Sequence, residues 1–255
     1  MPSLKVINLG RLAYPRALYI QQQLFERVKQ GSISPGAPKP NDPNRNSPNY
    51  LLLVEHDPVY TVGIRSRQYL EADPEEIAKL RRLGADFQVT NRGGLITFHG
   101  PGQLVAYPIL NLAAFPSTQR SIKRFVCLLE SVLIDVCADL KVPADRLHPH
   151  PGVWVDASRK IAAIGIHASK YVTMHGVALN CNLPLHWYRH IVPCGIEGKG
   201  VTSLAAELGR DVPVTEVAPL FVEHFTRRLL MPAKVEEGQG DDDGKQCQVD
   251  QVVNV

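Results

Sequence analysis

FQVTNRGGLITFHGPGQLVAYPI, Phe87 to Ile109, sets three short apolar runs around a turn-rich centre. Phe87–Thr90, Leu95–Phe98 and Gln103–Ile109 have the length and the branched or aromatic content of strands. Between and across them lies RGGLITFHGPGQ, Arg92–Gln103, with four glycines and one proline among Arg92, Thr97, His99 and Gln103. Neither a core strand nor a helix needs that mixture. Glycine reaches positive φ and lets a ligand come close to the backbone. A chain that gives up packing in this way is expected to build a site.

Working outward, Lys5–Leu9 reads as a strand, and Pro15 opens a helix whose Ala17, Ile20, Leu24, Phe25 and Val28 share one face. Tyr50–Glu55 is a buried strand by its apolar run. Asp73-Pro74-Glu75-Glu76 is a helix start, with Ile77, Leu80 and Leu83 facing inward and Gly84 as the stop. The longest helix is expected over Gln119–Leu140, with Phe125, Val126, Leu129, Val132, Leu133 and Val136 in a broad stripe. Gly152–Val155 and Lys160–Ile166 flank a polar turn as a hairpin, and Val177–Cys181 is a further strand. Thr215 is placed to cap a last helix carrying Val217, Leu220, Phe221 and Phe225. Adjacent strands interspersed with helices predict an α/β fold of the α+β kind, with a mixed sheet flanked by helices. The domain is expected over residues 1–232. A surface insertion at 31–49 carries five prolines, and an acidic, disordered tail is expected over 233–255.

Composition narrows the function classes. The chain has 255 residues, 44% of them hydrophobic and 21% charged, which suits a globular protein with a proper core. No apolar run approaches the ~20 residues of a membrane span, so no membrane partner is expected. The five cysteines (Cys127, Cys137, Cys181, Cys194, Cys247) are scattered and form no CxxC pair. That speaks against a disulfide framework and for a reducing compartment. The net charge of +3 divides into −4 from Lys234 onward and +7 before it. The basic residues are not interleaved with aromatics, so no nucleic-acid partner is expected. The first 25 residues hold Lys5, Arg11 and Arg16 and no acid. This fits organelle import, and equally an ordinary first strand and helix.

Cys194 sits in HIVPCGI, between Pro193 and Gly195, where regular structure is unfavourable and a thiol is presented on a turn. Its thiolate would be a nucleophile, given a cation or base nearby. Lys160 opens the apolar run KIAAIGI. It is either a solvated hairpin lysine or one aimed into a pocket, where burial would make it able to exchange protons. His175-Gly176 precedes VALNCN, where a glycine allows close approach and Asn180 can orient polar groups. His186 and His190, with Cys181 and Cys194, are raw material for zinc, but the HExxH glutamate is missing and no metal is expected. Gly195–Gly200 is not a phosphate-binding GxxxxGK[ST] loop.

Three blocks in order resemble the lipoyl(octanoyl) transferase family, the octanoyl-[acyl carrier protein]:protein N-octanoyltransferases. They are RGGLITFHGPGQ, RKIAAIGIHASKYVTMHGVALNCN (Arg159–Asn182) and HIVPCGIEGKGVTSL (His190–Leu204). LLLVEHDPVYTVG (Leu51–Gly63) is similar too, and the animal mitochondrial branch is the nearest. The resemblance covers roughly Leu4 to Leu230. The chain departs from the family at His167, where arginine is frequent, and at Lys170-Tyr171, where Arg-Trp is frequent.

The resemblance implies the biotin/lipoate protein ligase-like fold and an enzyme without a cofactor. Cys194 matches the acyl-thioester nucleophile and Lys160 its acid/base partner. Arg92, Gly93, Gly94, Leu95, Ile96, Thr97, Phe98 and His99 match the segment lining the acyl pocket. So do Ala163, Ile164 and Gly165 on one strand and Gly176, Val177 and Ala178 on another. The implied donor is octanoyl-acyl carrier protein. The implied acceptors are lipoyl domains of 2-oxoacid dehydrogenase complexes and the glycine cleavage H protein. A monomer in the mitochondrial matrix is implied, or a cytoplasmic enzyme if the chain is bacterial. An ATP-dependent lipoate or biotin protein ligase would use the same fold without a nucleophilic cysteine. A non-catalytic module docking lipoyl domains would bind without turnover.

Overall fold

Residues 2–32, 48–65, 74–196 and 198–231 are described by the computed structural model. Asp73, the bulk of the 31–49 insertion and the 233–255 tail lie outside them. The elements follow the order β1 (Leu4–Leu12), α1 (Tyr14–Ser32), β2 (Asn49–His56), β3 (Val59–Val62), α2 (Pro74–Arg82), β4 (Asp86–Val89), β5 (Thr97–His99) and β6 (Gln103–Ile109). After these come α3 (Ile122–Asp139), β7 (Asp145–Leu147), β8 (His150–Val155), β9 (Arg159–Ser169), β10 (Val172–Asn180), β11 (Gly200–Val201), α4 (Leu204–Leu208) and α5 (Val214–Leu230).

Strands buried on both faces read as continuous apolar runs, and NYLLLVEH and QLVAYPI are such runs at the centre of the main sheet. Its order is β1-β2-β6-β10-β9-β8-β7, with β11 added beside β9. The β1–β2 and β9–β11 pairs are parallel and the rest antiparallel, so the sheet is mixed as expected. Helix α1 covers one face with Ala17, Phe25 and Val28 against Tyr50, Leu52, Val105, Tyr107 and Met174. Helices α3 and α5 cover the other, where Phe125, Leu129, Val132, Leu133 and Val136 meet Phe221, Phe225 and the sheet residues Leu51, Leu104 and Val177. A Phe or Leu buried in this way stabilises the fold by roughly 1.5–3 kcal/mol.

A second sheet, β4-β3-β5, was not expected as a unit. Tyr60, Val62, Phe87 and Phe98 form its core with Leu80 of α2 and Tyr188. The run Leu95–Phe98 is a shorter strand than its composition suggested, because Arg92–Ile96 bends into a loop. Helix α5 also starts differently. Its N-cap is Pro213 with no side-chain cap bond, and Thr215 lies inside the first turn. In α3 the cap is Ser121, whose Oγ accepts from the Arg124 N–H at 3.2 Å. Cys137 and Cys181 are buried and free. Cys127 is half-buried and disulfide-bonded, where the scattered cysteines spoke against a disulfide framework.

The β8–β9 hairpin turns over three residues between paired Val155 and Arg159, with Asp156 and Ala157 both at positive φ. Gly176 of β10 is tightly enclosed. A Cβ there would lie 2.0 Å from the Ala106 carbonyl oxygen and 2.7 Å from Pro108 Cδ. Both neighbours belong to central strand β6, which cannot give way cheaply. Gly176→Ala is expected to cost about 3 kcal/mol through overpacking, read as a lowered midpoint in urea unfolding. A midpoint equal to wild type would show that β6 and β10 are not as close as described.

Candidate active site

Arg92 organises the glycine-rich segment. Its buried guanidinium donates from Nη2 to the Thr61 carbonyl at 2.7 Å, to Thr61 Oγ1 at 2.9 Å and to the Leu95 carbonyl at 2.9 Å. Nη1 donates to the Gly93 carbonyl at 3.0 Å. One side chain therefore ties both limbs of its own loop to β3. The Gly93 N–H donates to the Ile166 carbonyl at 3.1 Å, which docks the loop on β9. Gly63 makes the approach possible, since a Cβ there would fall 2.3 Å from the Gly94 carbonyl oxygen.

A cleft of about 460 Å³, counted with its open mouth, lies between this loop and the sheet. From the loop it is lined by Arg92, Gly94, Leu95, Thr97 and His99. From the sheet come Ala163, Ile164 and Gly165 of β9 and Gly176, Val177 and Ala178 of β10. The two strands are in register here, with Ala163 opposite Ala178 and Gly165 opposite Gly176. Three expected residues sit elsewhere. Phe98 and Ile96 pack in the core of the second sheet, because side chains alternate along a strand and Thr97 and His99 take the cleft side. Gly93 serves through its backbone.

A second hollow, about 240 Å³ counted with its open mouth, is lined by Lys160, Ala162, Asn180, Tyr188, Pro193 and Val201 and shares Thr97 and Ala163 with the cleft. Lys160 is buried, so it is not the solvated hairpin lysine of the alternative expectation. Its Nζ donates to the Pro151 carbonyl at 3.1 Å and lies 4.6 Å from the centre of the Trp154 ring. Both contacts favour a cation. Gly152 makes room, with no side chain where a Cβ would stand 3.6 Å from Nζ.

The backbone of Cys194 belongs to a short 3₁₀ turn, Pro193–Gly195, and its side chain lies outside what is described. Its neighbours locate the turn. Pro193 lines the Lys160 cavity, and a Cβ on Gly195 would fall 2.4 Å from Leu95 Cδ1 of the glycine-rich loop. The turn is anchored from behind by β11, where the Thr202 N–H donates to the Lys160 carbonyl at 3.0 Å. The Lys160 strand, the Cys194 turn and the loop thus converge at one end of the cleft. The N–H groups of Gly93, Gly102 and Gly195 already have protein acceptors.

Residues 14–226 match the lipoyl protein ligase A/B catalytic domain. The chain belongs to that family. It is 50% identical over 227 residues to the octanoyl-[acyl-carrier-protein]:protein N-octanoyltransferase LIPT2, mitochondrial, of Danio rerio, covering 89% of this chain and 92% of that one. The Homo sapiens protein of the same name is 42% identical, covering 88% and 92%. A solved lipoate-protein ligase A bound with ATP superposes with a TM-score of 0.63 at 14% identity, over 91% of this chain and 87% of that one. That likeness concerns the fold, and it bears out the ligase-like architecture.

In this lipoyl ligase-family domain a polar belt runs along the cleft and reaches the Lys160 cavity at Asn180. Most of it went unremarked in the sequence. The Tyr107 hydroxyl donates to His56 Nε2 at 2.7 Å, while His56 Nδ1–H donates to the Leu12 carbonyl at 2.9 Å. His99 Nδ1–H donates to Gln103 Oε1 at 2.8 Å, and Gln103 Nε2 donates to Asn180 Oδ1 at 2.8 Å. Tyr14 stacks on His99 at 6.2 Å. Burial pushes all three histidines down, His56 to about 4 and His99 and His175 to about 3. They are neutral in the folded chain, and an unfolded chain takes up their protons from about pH 6.5 downward. Stability is therefore full above that value and is lost as pH falls toward 3–4. At pH 5 each histidine is expected to cost about 2 kcal/mol relative to pH 7, read by urea unfolding across that range. A flat profile between pH 7 and 5 would contradict their burial.

Among the described residues no group of three His, Cys, Asp or Glu side chains could hold a metal ion. No described helix is long and apolar enough to cross a membrane.

Proposed function

We propose that the chain transfers an octanoyl group from an acyl carrier protein thioester to a lysine of a lipoyl domain, through an acyl-thioester on Cys194. Octanoyl transfer from acyl carrier protein to a protein is what relatives at 42–50% identity are named for. The observation that carries the chemistry is the meeting of buried Lys160 with the Pro193–Gly195 turn at one end of an apolar cleft.

In the first half-reaction the Cys194 thiolate attacks the thioester carbonyl and a new C–S bond forms. The bond to the phosphopantetheine sulfur breaks, and Lys160 as an ammonium gives that sulfur its proton. In the second half, the acceptor amine attacks the acyl-enzyme carbonyl. Neutral Lys160 takes the amine proton, and Cys194 departs as thiolate. Thioester and amine become amide and thiol. The exchange between thioesters is near even in energy, and amide formation runs downhill, so no ATP enters. The apolar cleft gains about 0.8 kcal/mol for each methylene it buries.

The acceptors are lipoyl domains, and we assign the 2-oxoacid dehydrogenase complexes and the glycine cleavage H protein as their carriers. The relatives are named mitochondrial, and we assign this chain's site of action to the mitochondrial matrix. Incubation with octanoyl-acyl carrier protein and a lipoyl domain, without ATP or magnesium, is expected to add one octanoyl mass to the acceptor. A product that appears only with free octanoate, ATP and magnesium would instead make the chain a ligase.

A further inference from the structure

The bond-making groups meet at the Ala163–Ala178 end of the cleft. The opposite end closes at the Ile166–His175 rung, three rungs further along β9 and β10. That is about 10 Å at the ~3.3 Å rise of a strand. An extended octanoyl chain spans on the order of 9 Å from carbonyl carbon to methyl.

His175 is a β10 residue at φ +58, so its ring leaves the alternation of its strand and turns to the α1 side, edge-on to Tyr107 at 6.4 Å. It lines the cleft and is 1% exposed. His175 Nε2–H donates to Asn91 Oδ1 at 2.7 Å, which leaves Nδ1 as a bare acceptor with no hydrogen-bond partner. Behind it Gln21 of α1 accepts the His175 backbone N–H at Oε1 at 3.0 Å, while its own Nε2 has no partner. The Gln21 amide stands near the Tyr107 phenol without a bond of ordinary geometry. The cleft thus ends on one unpartnered acceptor, His175 Nδ1, with one unpartnered donor, Gln21 Nε2, behind it, both fully buried.

We propose that His175, backed by Gln21, is the stop that sets the longest acyl chain this cleft accepts. The proposal rests on the acyl-transfer reading for its ligand class, a straight medium-length acyl chain. Methylenes that lie between Ala163 and Gly176 replace water on apolar surface and add affinity. Further methylenes must press against groups that only a polar atom can satisfy, and they gain nothing there.

The test is the calorimetric affinity of the full chain for straight fatty acids of six to fourteen carbons, which needs no turnover. In wild type, affinity is expected to rise about fourfold per methylene up to about eight carbons. It should then fall about tenfold or more by twelve. In His175→Gly, whose backbone suits φ +58, and in Gln21→Leu, the break is expected to move at least two carbons longer. A merely structural role would weaken all lengths by one factor and leave the break in place. The proposal is overturned if wild-type affinity keeps rising through twelve carbons, if no acid binds, or if the variants that fold keep the wild-type break. A length break without any acyl-enzyme would defeat the transfer chemistry alone.

Discussion

Cys194→Ala is expected to abolish octanoyl transfer, with kcat/KM falling at least about 10³-fold. The loss follows from the two-step route. Without the thiolate the acceptor amine must attack the carrier thioester directly, and the stored acyl group never forms. The Pro193–Gly195 turn lies outside the three apolar clusters formed by the described residues, so the fold should be indifferent to the change. Thermal unfolding and the affinity for octanoate are therefore expected to match wild type while turnover disappears. Cys194→Ser tests the same point more sharply, since it keeps size and loses nucleophilicity. Transfer by either variant at the wild-type rate would remove the covalent intermediate.

Lys160→Ala is expected to be the second-largest loss, about 10²–10⁴-fold in kcat, the range for a positioned acid/base group. Both half-reactions need a proton moved at the same place, and Lys160 is the cation that its surroundings hold there. Its ammonium leans on the Trp154 face and the Pro151 carbonyl, so removal leaves those partners facing a void. Lys160→Arg keeps a charge near the thiol but is never neutral, so it cannot take the proton of the acceptor amine. It should retain formation of the acyl-enzyme better than transfer from it. The pH dependence of Cys194 alkylation supplies a readout that a packing defect would not move. Its midpoint is expected to rise in Lys160→Ala toward the ~8.5 of an ordinary thiol. Identical alkylation profiles in wild type and Lys160→Ala would leave Lys160 as a packing residue only.

Local patterning carried much of the fold. The α1 face through Ala17, Phe25 and Val28 and the α3 stripe through Phe125 and Val136 are legible because each repeats every three or four residues. The second sheet was not legible, because β3 and β4 have four residues each and are joined through pairing that no local period records. Glycines marked the loop, yet alternation in β5 sends Phe98 away from the cleft that a contiguous motif assigned to it. Tyr14, Tyr107 and His56 come from α1, β6 and β2. Only the tertiary fold brings them to the cleft, so no spacing signal announces them. His175 was visible as a histidine before a glycine. Its inward turn depends on a positive φ, which sequence does not announce for that residue type.

The central claim is an acyl group held on Cys194. Its most direct measurement is the intact mass of the full chain after a brief exposure to octanoyl-acyl carrier protein, with neither ATP nor an acceptor present. Peptide mapping then locates the modification. The account predicts a single octanoyl adduct on the peptide containing Cys194, absent from Cys194→Ala and discharged when a lipoyl domain is added. An unmodified chain that nevertheless acylates the lipoyl domain, or an adduct on another residue that transfers competently, would contradict it.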